Sequence, residues 1–205
     1  MKHPSRISVS LPPIPRRSYD VVVGRSLLAE IVRTVRSTKA SSCVIITDAH
    51  VGSLHGTKLQ REIKRHLPGT YLLTIPAGEK QKNQKNKTVL ELAMLQERCG
   101  RDTIVVALGG GVVGDLAGFV AATYLRGVPY IHVPTTLLAM LDSSIGGKTA
   151  IDTPYGKNMI GAFCQPLRVV IDVDYLQTLP NTQTDAGLLE AVKLFIALEP
   201  KSLAL

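Results

Sequence analysis

Cysteine and tryptophan are scarce in this sequence of 205 residues, which contains three Cys and no Trp. The cysteines, Cys43, Cys99 and Cys164, stand far apart, so the sequence offers neither a disulfide framework nor a Cys-x-x-Cys zinc pair. The first residues also lack the apolar stretch that a secretory signal requires. We therefore expect a cytoplasmic protein.

A long uninterrupted apolar segment is also missing. Residues 103–125 contain one charged side chain, Asp115, and match the length of a membrane-spanning helix, ~20 residues. Three consecutive glycines, Gly109 to Gly111, divide this segment into a β-branched run and a helix-like stretch. This pattern predicts a buried strand, a turn and a buried helix, and we expect no membrane partner.

Acidic residues are outnumbered by basic ones, 16 to 24, which gives a formal net charge of +8. Such an excess suits an anionic partner, for example a phosphorylated metabolite, a nucleic acid or an acidic surface. Many of the basic residues in the first hundred have a spacing typical of solvated helix faces. The six Tyr and three Phe offer few rings for base stacking, so we expect no nucleic-acid partner.

Apolar strand-like segments alternate with amphipathic helical segments along the chain. Strands are predicted at Tyr19–Val23, Cys43–Thr47, Tyr71–Ile75, Ile104–Leu108, Tyr130–Val133 and Arg168–Asp172. Helices are predicted at Ser26–Arg36, with Ser26 as the cap, and at Ser53–His66, Asn86–Arg98, Asp115–Leu125 and Ala186–Leu198. The alternation predicts an α/β fold with a parallel sheet. The stretch between the last two strands reads as loop-rich.

The segment Gly109–Gly114, with the sequence GGGVVG, matches the dinucleotide motif G-x-G-x-x-G between a predicted strand and a predicted helix. Without Cβ atoms the backbone can approach a pyrophosphate, and the free N–H groups of the helix favour an anion. A close-packed turn without a ligand would show the same pattern, and the usual acidic residue ~20 positions later is missing. Asp48, after the second strand, is either a ribose-binding carboxylate or a helix cap.

Polar side chains are dense between the last two predicted strands, namely Thr135, Thr136, Asp142, Lys148, Lys157 and Asn158, with Arg126 just upstream. The cations could neutralise a phosphate and a carboxylate, and Asp142 could accept a hydrogen bond from a hydroxyl group. The pattern indicates either a site for a small phosphorylated sugar acid or a solvated loop. It is not a Walker loop, because Asp142 stands where that motif requires glycine.

Glu190 and Lys193 lie three residues apart on the last predicted helix and so share a face. An ion pair between them is favoured from the residues alone. The alternative is that Glu190 is one ligand of a divalent ion whose other ligands lie elsewhere. The histidines show no metal-ligand spacing.

Four segments resemble 3-dehydroquinate synthases in order and spacing: ALGGGVVGDLAGFVAATYLRGV, VPTTLLAMLDSSIGGKTAID, GKNMIGAFCQP, and TLP followed by AGLLEAVK. The resemblance implies a Rossmann-like NAD-binding domain over residues 1–183. Residues 184–205 would then be the first helix of an α-helical second domain that is mostly absent from this sequence. The implied activity is that of a phosphorus–oxygen lyase of the shikimate pathway.

The resemblance also implies the reaction, the cofactors and the assembly. The enzyme would convert 3-deoxy-arabino-heptulosonate 7-phosphate into 3-dehydroquinate and phosphate. It would use NAD and a divalent metal, zinc or cobalt, and we expect a homodimer in the complete protein. A related sugar phosphate cyclase and a non-catalytic NAD-binding fragment are the alternatives. The segments GGKTAID and GKNMIGAF favour the quinate enzyme over a polyol dehydrogenase of similar architecture.

Site residues follow from the same resemblance. NAD contacts would come from Asp48, Glu79, Lys82, Gly110, Gly111, Val112, Asp115, Thr135, Thr136, Leu138, Lys148, Lys157 and Thr178, to which the glycine motif adds Val113 and Gly114. Substrate contacts would come from Arg126, Asp142, Lys148, Asn158 and Lys193, and Glu190 would be the metal ligand. The family's two histidine ligands belong to the second domain, so we expect little or no turnover by this chain alone.

Overall fold

The computed structural model describes residues 18–198. Eight strands form within them: β1 Asp20–Gly24, β2 Ser42–Asp48, β3 Thr70–Ile75, β4 Thr103–Gly109, β5 Tyr130–Pro134, β6 Lys148–Thr153, β7 Gly156–Phe163 and β8 Arg168–Asp172. Six of these strands make one sheet in the order β1-β8-β5-β4-β2-β3, and each neighbouring pair is parallel. The predicted α/β fold with a Rossmann-like parallel sheet is confirmed.

Helices separate the strands, as the alternation predicts. They are α1 Leu28–Ser37, α2 Ala49–Val51, α3 Thr57–Lys64, α4 Gln84–Gln96, α5 Gly111–Thr123 and α6 Asn181–Leu198. Two π-helical turns lie at Gly52–Gly56 and Ala139–Ser143, and 3-10 turns lie at Glu79–Gln81, Tyr124–Arg126 and Val173–Thr178. Within residues 18–198, no helix combines the length and the apolar character that crossing a bilayer demands.

Strand β4 shows why the sheet is buried on both faces. Ile104, Val106 and Leu108 pack with the apolar residues of α1 and α3. Val105 and Ala107 point to the other face and pack with those of α4 and α5. Every residue of the strand is buried, which is typical of a central parallel strand between two helical layers.

The start of α1 differs from the sequence-based prediction. Ser26 does not cap the helix: its backbone has a positive φ of 54° and the helix begins at Leu28. The backbone N–H groups of Ser26 and Leu27 instead donate to the carboxylate of Asp172, at 3.1 and 2.7 Å. Asp172 ends β8, so the cap comes from 145 residues away in the sequence and local pattern could not reveal it.

The stretch predicted to be loop-rich contains an antiparallel hairpin. Strands β6 and β7 pair from Lys148↔Phe163 to Thr153↔Gly156 and form a separate two-stranded sheet. Only one face of the hairpin is covered: Ile151 is fully buried, whereas Phe163 is 82% exposed. Glycines and polar side chains therefore occupy positions that a buried strand would fill with apolar residues, and this hid the strands in the sequence.

The direction of the chain reverses between β2 and β4. From β2 the chain continues outward to β3, and from β4 it continues in the opposite direction to β5. The connections after β2 and β4 consequently diverge and leave a crevice beyond the carboxyl ends of these strands, which is where open α/β sheets bind ligands.

Candidate functional site

A cleft of about 550 Å³ opens at this crevice. Its walls come from the segments that follow β2, β3, β4, β5 and β8 and from the start of α6. Predicted site residues that line it are Asp48, Glu79, Lys82, Gly110, Gly111, Val112, Val113, Asp115, Thr135, Thr136, Leu138, Asp142 and Thr178. The fold therefore brings together residues that are spread over most of the sequence.

The glycine turn forms the floor of the cleft. Gly110 is the extended residue that precedes α5, and no side chain in the described part of the chain caps the first turn of this helix. A Cβ atom at Gly110 would lie 2.9 Å from the Thr136 side chain, and one at Gly111 would lie 3.1 Å from Ser143 Oγ. Glycine is thus required for the segment after β5 to approach the turn.

Gly114 serves packing behind the turn. A Cβ atom there would come within 2.4 Å of the His132 ring on β5, so the ring and the helix backbone are in direct contact. The close-packing reading of the motif therefore applies to Gly114, and the dinucleotide reading stays a prediction for the rest of the turn. The residues from Gly110 to Val113 face the cleft, and Gly114 is a close-packing glycine.

A buried ammonium group joins three segments beside the cleft. Lys82 is 5% exposed, and its Nζ donates to Asn158 Oδ1 at 2.7 Å and to Asp115 Oδ2 at 3.2 Å. The carboxylates of Glu79 and Asp152 lie 3.6 and 3.7 Å from the same Nζ. We call these five residues the Lys82 hub. It ties the loop after β3, helix α5 and the β6–β7 hairpin to one another.

The charges of the Lys82 hub compensate for its burial. Burial by itself would lower the pKa of Lys82, but the charge and hydrogen bond of Asp115, with the charges of Glu79 and Asp152, raise it above its ordinary value. Burial also raises the pKa of Asp115, against the opposing effect of Lys82. Lys82 therefore stays charged over the whole neutral range.

Strand β7 has an uncommon backbone conformation close to the turn of the hairpin. Asn158 has a positive φ of 57°, and its N–H donates to Asp152 Oδ1 at 2.8 Å. The neighbouring Lys157 is an exposed side chain whose ammonium lies 3.2 Å from Glu79 Oε1. Lys157 and Asn158 thus reach the edge of the cleft through Glu79 and Lys82. Lys148 is exposed at the start of β6.

Asp48 has the cap role and also lines the cleft. Its Oδ1 accepts the N–H groups of His50 and Val51, both at 2.9 Å, at the start of α2. Both readings of Asp48 that the sequence left open are therefore compatible with its position, because the cap uses only one of the two carboxylate oxygens among the described contacts.

Glu190 and Lys193 form the ion pair that the residues alone favour, with a distance of 3.0 Å. The hydrogen bond and the charge of Glu190 raise the pKa of Lys193, and the charge of Asp142 adds to this effect. Among the residues that the structure describes, no three His, Cys, Asp or Glu side chains are grouped to hold a metal ion. The role of Glu190 as a metal ligand, which the family resemblance implies, therefore stays a prediction.

Arg126 lies at the other end of the domain. Helix α5 begins at the cleft and runs for 13 residues, about 20 Å at the rise of an α-helix, before the 3-10 turn that contains Arg126. The chain then enters β5 at the amino edge of the sheet. Arg126 is therefore too far from the cleft of its own chain to contact a ligand there.

His55 and Ser143 are two of the cleft residues that were not predicted as site residues. His55 follows Val51 and Leu54 at helical spacing, so a helix starting after Asp48 would place all three on one face. Ser143 lies in the π-helical turn after β5, and its Oγ and that of Thr135 are buried without a hydrogen-bond partner in the described residues. The helical spacing could have revealed His55. No sequence signal identifies Ser143, because the π-helical turn was not predictable.

The sequence matches the family described as 3-dehydroquinate synthase N-terminal over residues 72–186. The 3-dehydroquinate synthases of Nitrosomonas europaea and Nitrosospira multiformis are 45% and 44% identical over 188 and 195 residues. These matches cover 91% and 95% of the chain but 51% and 53% of the two synthases. The chain therefore spans about half the length of the curated synthases that it matches.

Solved structures of similar fold include sugar phosphate cyclases. A 2-deoxy-scyllo-inosose synthase complexed with carbaglucose-6-phosphate, NAD+ and Co2+ is 30% identical, with a TM-score of 0.79 over 87% of this chain and 48% of that one. The 2-epi-5-epi-valiolone synthase of Streptomyces hygroscopicus, with NAD+ and Zn2+ bound, is 32% identical, with a TM-score of 0.75 over 88% and 50%. Both resemble this chain over about half of their length.

We predict that Lys82→Met lowers the free energy of unfolding by about 3 kcal/mol, because it leaves the carboxylates of the Lys82 hub without their buried cation. Urea denaturation measures this change. Lys85→Met is the matched control at an exposed position of α4 and should change stability by less than ~0.5 kcal/mol. Adding Asp115→Asn to Lys82→Met should recover part of the loss. Equal stability of the two lysine variants would contradict the role of the hub.

We predict that His132 lowers the free energy of unfolding in acid. Burial lowers its pKa from 6.5 to about 4, and its Nε2 has no partner among the described residues. Above pH 6.5 the ring is neutral in both states. Between pH 6.5 and 4 the unfolded chain binds a proton that the folded chain excludes, so this group alone should reduce the free energy of unfolding by about 3 kcal/mol.

Urea denaturation at a series of pH values measures this component. His132→Gln should flatten the fall between pH 6.5 and 4, whereas His66→Gln, at an exposed position, should leave it unchanged. The assignment to His132 is wrong if both variants show the slope of the unaltered chain.

Proposed function

The chain belongs to the 3-dehydroquinate synthase family, and on this premise we propose that it forms the dinucleotide-binding part of an enzyme that converts 3-deoxy-arabino-heptulosonate 7-phosphate into 3-dehydroquinate and phosphate. The observation that carries the proposal is the cleft at the carboxyl ends of β2 and β4, where an uncapped helix start faces a carboxylate that ends the neighbouring strand. The enzyme would be a phosphorus–oxygen lyase.

The polar groups of the cleft fit NAD. The volume of about 550 Å³ lies within the usual range of cofactor sites. The buried hydroxyl oxygens of Thr135 and Ser143 lack partners in the described residues and would be satisfied by a polar ligand. The open N–H groups at Gly111 and Val112 would hold the pyrophosphate. Asp48 would accept hydrogen bonds from the adenosine ribose.

NAD, when bound, would supply reversible acceptance of a hydride from the substrate. The remaining cofactor contacts would come from Glu79, Lys82, Val113, Asp115, Thr136, Leu138, Lys148, Lys157 and Thr178. Gly114 would contribute only by allowing α5 to pack against His132. The Lys82 hub would keep these contacts in register, because it links three of the segments that carry them.

Substrate binding would use the cations at the rim of the cleft. The charge of Asp142 contributes to the raised pKa of Lys193, which supports a shared role in which Asp142 would accept a hydrogen bond from a hydroxyl group and Lys193 would bind an anion. Asn158, Lys157 and Lys148 of the hairpin would supply the other polar contacts. In this arrangement the Lys157 ammonium would leave the Glu79 carboxylate and bind the ligand instead. The exposed side chain of Lys157 permits this movement.

Arg126 fits the proposal if it contacts the substrate in the cleft of a second copy of the chain. It lies about 20 Å from the glycine turn of its own chain, at the far end of α5. This agrees with the homodimer that we expect for the complete protein. A substrate role for Arg126 therefore requires the assembly.

The metal part of the site does not fit the described residues alone. Glu190 would be one carboxylate ligand of zinc or cobalt, but it is paired with Lys193, and a closed site needs further ligands. We propose residues 1–183 as the NAD-binding domain and residues 184–205 as the first helix of the second domain, of which residues 1–17 and 199–205 lie outside the described part of the chain. In the described part, α6 begins slightly earlier than this boundary, at Asn181.

The exposed apolar residues of α6 support this division. Leu188, Leu189 and Ile196 are 52%, 72% and 60% exposed, as expected of a helix that packs against further helices. We therefore expect the 205-residue chain to turn over little or no substrate by itself.

A related sugar phosphate cyclase is the second candidate function. It is favoured by the 30% and 32% identity with cyclases named for other products. Phosphate release by the complete protein, with NAD and a divalent metal, separates the two. We expect release from 3-deoxy-arabino-heptulosonate 7-phosphate and not from sedoheptulose 7-phosphate or glucose 6-phosphate. The reverse preference would replace the quinate reaction with the cyclase alternative.

NAD binding tests the cofactor part of the proposal. We predict that the chain binds NAD and that Gly110→Ala weakens binding at least ~10-fold, because the added Cβ would collide with Thr136 at the start of α5. Isothermal titration calorimetry measures the change. Gly24→Ala is the control, since its Cβ would meet only the flexible end of Leu27. Equal NAD affinity of the two variants would argue against pyrophosphate at this turn.

A further inference from the structure

One contact joins two walls of the cleft that are far apart in the sequence. His55 lies in the π-helical turn after β2, and Thr178 ends the 3-10 turn after β8. His55 Nε2 and Thr178 Oγ1 are 2.9 Å apart across 123 residues of sequence. The His55 ring also meets the ring of Tyr175 edge to face, with centroids 4.8 Å apart. The Nε2 atom of His55 therefore contacts Thr178, and the face or edge of its ring packs against Tyr175.

The hydrogen bonds around Thr178 fix the direction of the contact. Thr178 Oγ1 donates its single proton to the carbonyl oxygen of Tyr175 at 3.0 Å. The hydroxyl can therefore only accept from His55, which must carry its proton on Nε2. Burial, with the charges of Lys58 and His50, lowers the pKa of His55 from its ordinary 6.5, while Asp172 opposes this. Both the neutral ring and the cation can donate from Nε2, so the contact persists on either side of that pKa.

The pair also separates two cavities. His55 and Thr178 both line the main cleft, and both line a second cavity of about 410 Å³ behind it. The second cavity is otherwise bounded by Ser26, Leu28, Lys58, Leu59, Asp172, Asp174, Tyr175 and Gln177. The contact therefore lies between the two cavities and links the turn after β8 to the turn after β2, together with the ring contact of His55 and Tyr175.

We propose that His55 is a positioning residue that holds the Thr178 hydroxyl, and with it the turn Val173–Thr178, at the dinucleotide end of the cleft. The inference rests on the proposed NAD site, to which Thr178 belongs. His55 positions Thr178 from the opposite wall of the cleft. The Thr178 hydroxyl donates its proton to Tyr175, and the His55 N–H group is the donor from which it accepts. Its effect on NAD is therefore exerted through Thr178.

Calorimetric titration of NAD into the full chain tests this role. His55→Phe keeps the ring against Tyr175 and removes the donor, and it should raise the NAD dissociation constant about three- to tenfold. His55→Gln retains an N–H donor and should restore affinity to within about twofold. In a Thr178→Val background, His55→Phe should have little further effect, because the acceptor is already gone.

Two controls separate the possible results. The His66→Phe variant, changed at an exposed position just after α3, should bind NAD like the unaltered chain. A thermal melt of each variant distinguishes loss of binding from loss of folding, and His55→Gln still tests the role if His55→Phe unfolds. Failure of the unaltered chain to bind NAD overturns both the proposed cofactor site and this inference. NAD binding by the unaltered chain with equal affinity of His55→Phe, or additive losses in the double variant, overturns the positioning role alone.

Discussion

The ammonium group of Lys82, held among three carboxylates and an amide, is the interaction on which the candidate site depends most. Removing a lysine from water costs free energy, and here the opposing charges of Asp115, Glu79 and Asp152 offset that cost. Because these partners come from a loop, a helix and a hairpin, one side chain fixes the relative positions of three separate segments. The glycine turn at the start of α5 and the tip of the hairpin are thereby kept together at one edge of the cleft.

The parallel sheet provides the frame for this arrangement. Strands β2 and β4 are neighbours, yet the chain leaves them in opposite directions, so a crevice is unavoidable at their carboxyl ends. The polar residues of the site all lie on connections or strand ends, where backbone groups are not used by the sheet. The β6–β7 hairpin and the first turns of α6 then extend the crevice beyond the sheet. The hairpin carries residues proposed for both the cofactor and the substrate, and the Lys82 hub joins it to α5.

Sequence patterns predicted much of the site, and each miss has a physical cause. The glycine turn was predictable because strand, turn and helix are adjacent in the sequence. Arg126 is near the polar stretch in the sequence, but α5 carries it to the opposite edge of the sheet, so its proposed substrate role depends on a second copy of the chain. The hairpin was missed because only one of its faces is buried. The contact of His55 with Thr178 spans 123 residues of sequence, so no local pattern indicated it.

The sequence by itself determined the order of strands and helices, the glycine turn and the membership in a family, since each depends on residues that are close together or on several motifs in a fixed order. The tertiary structure alone decided which of the candidate residues share a cleft. Asp172 became the cap of α1, Gly114 became a packing residue and Lys82 became a buried centre of charge through partners that only the sheet topology brings near. Contacts of this kind depend on strand order and crossover direction, and no local pattern of residues encodes them.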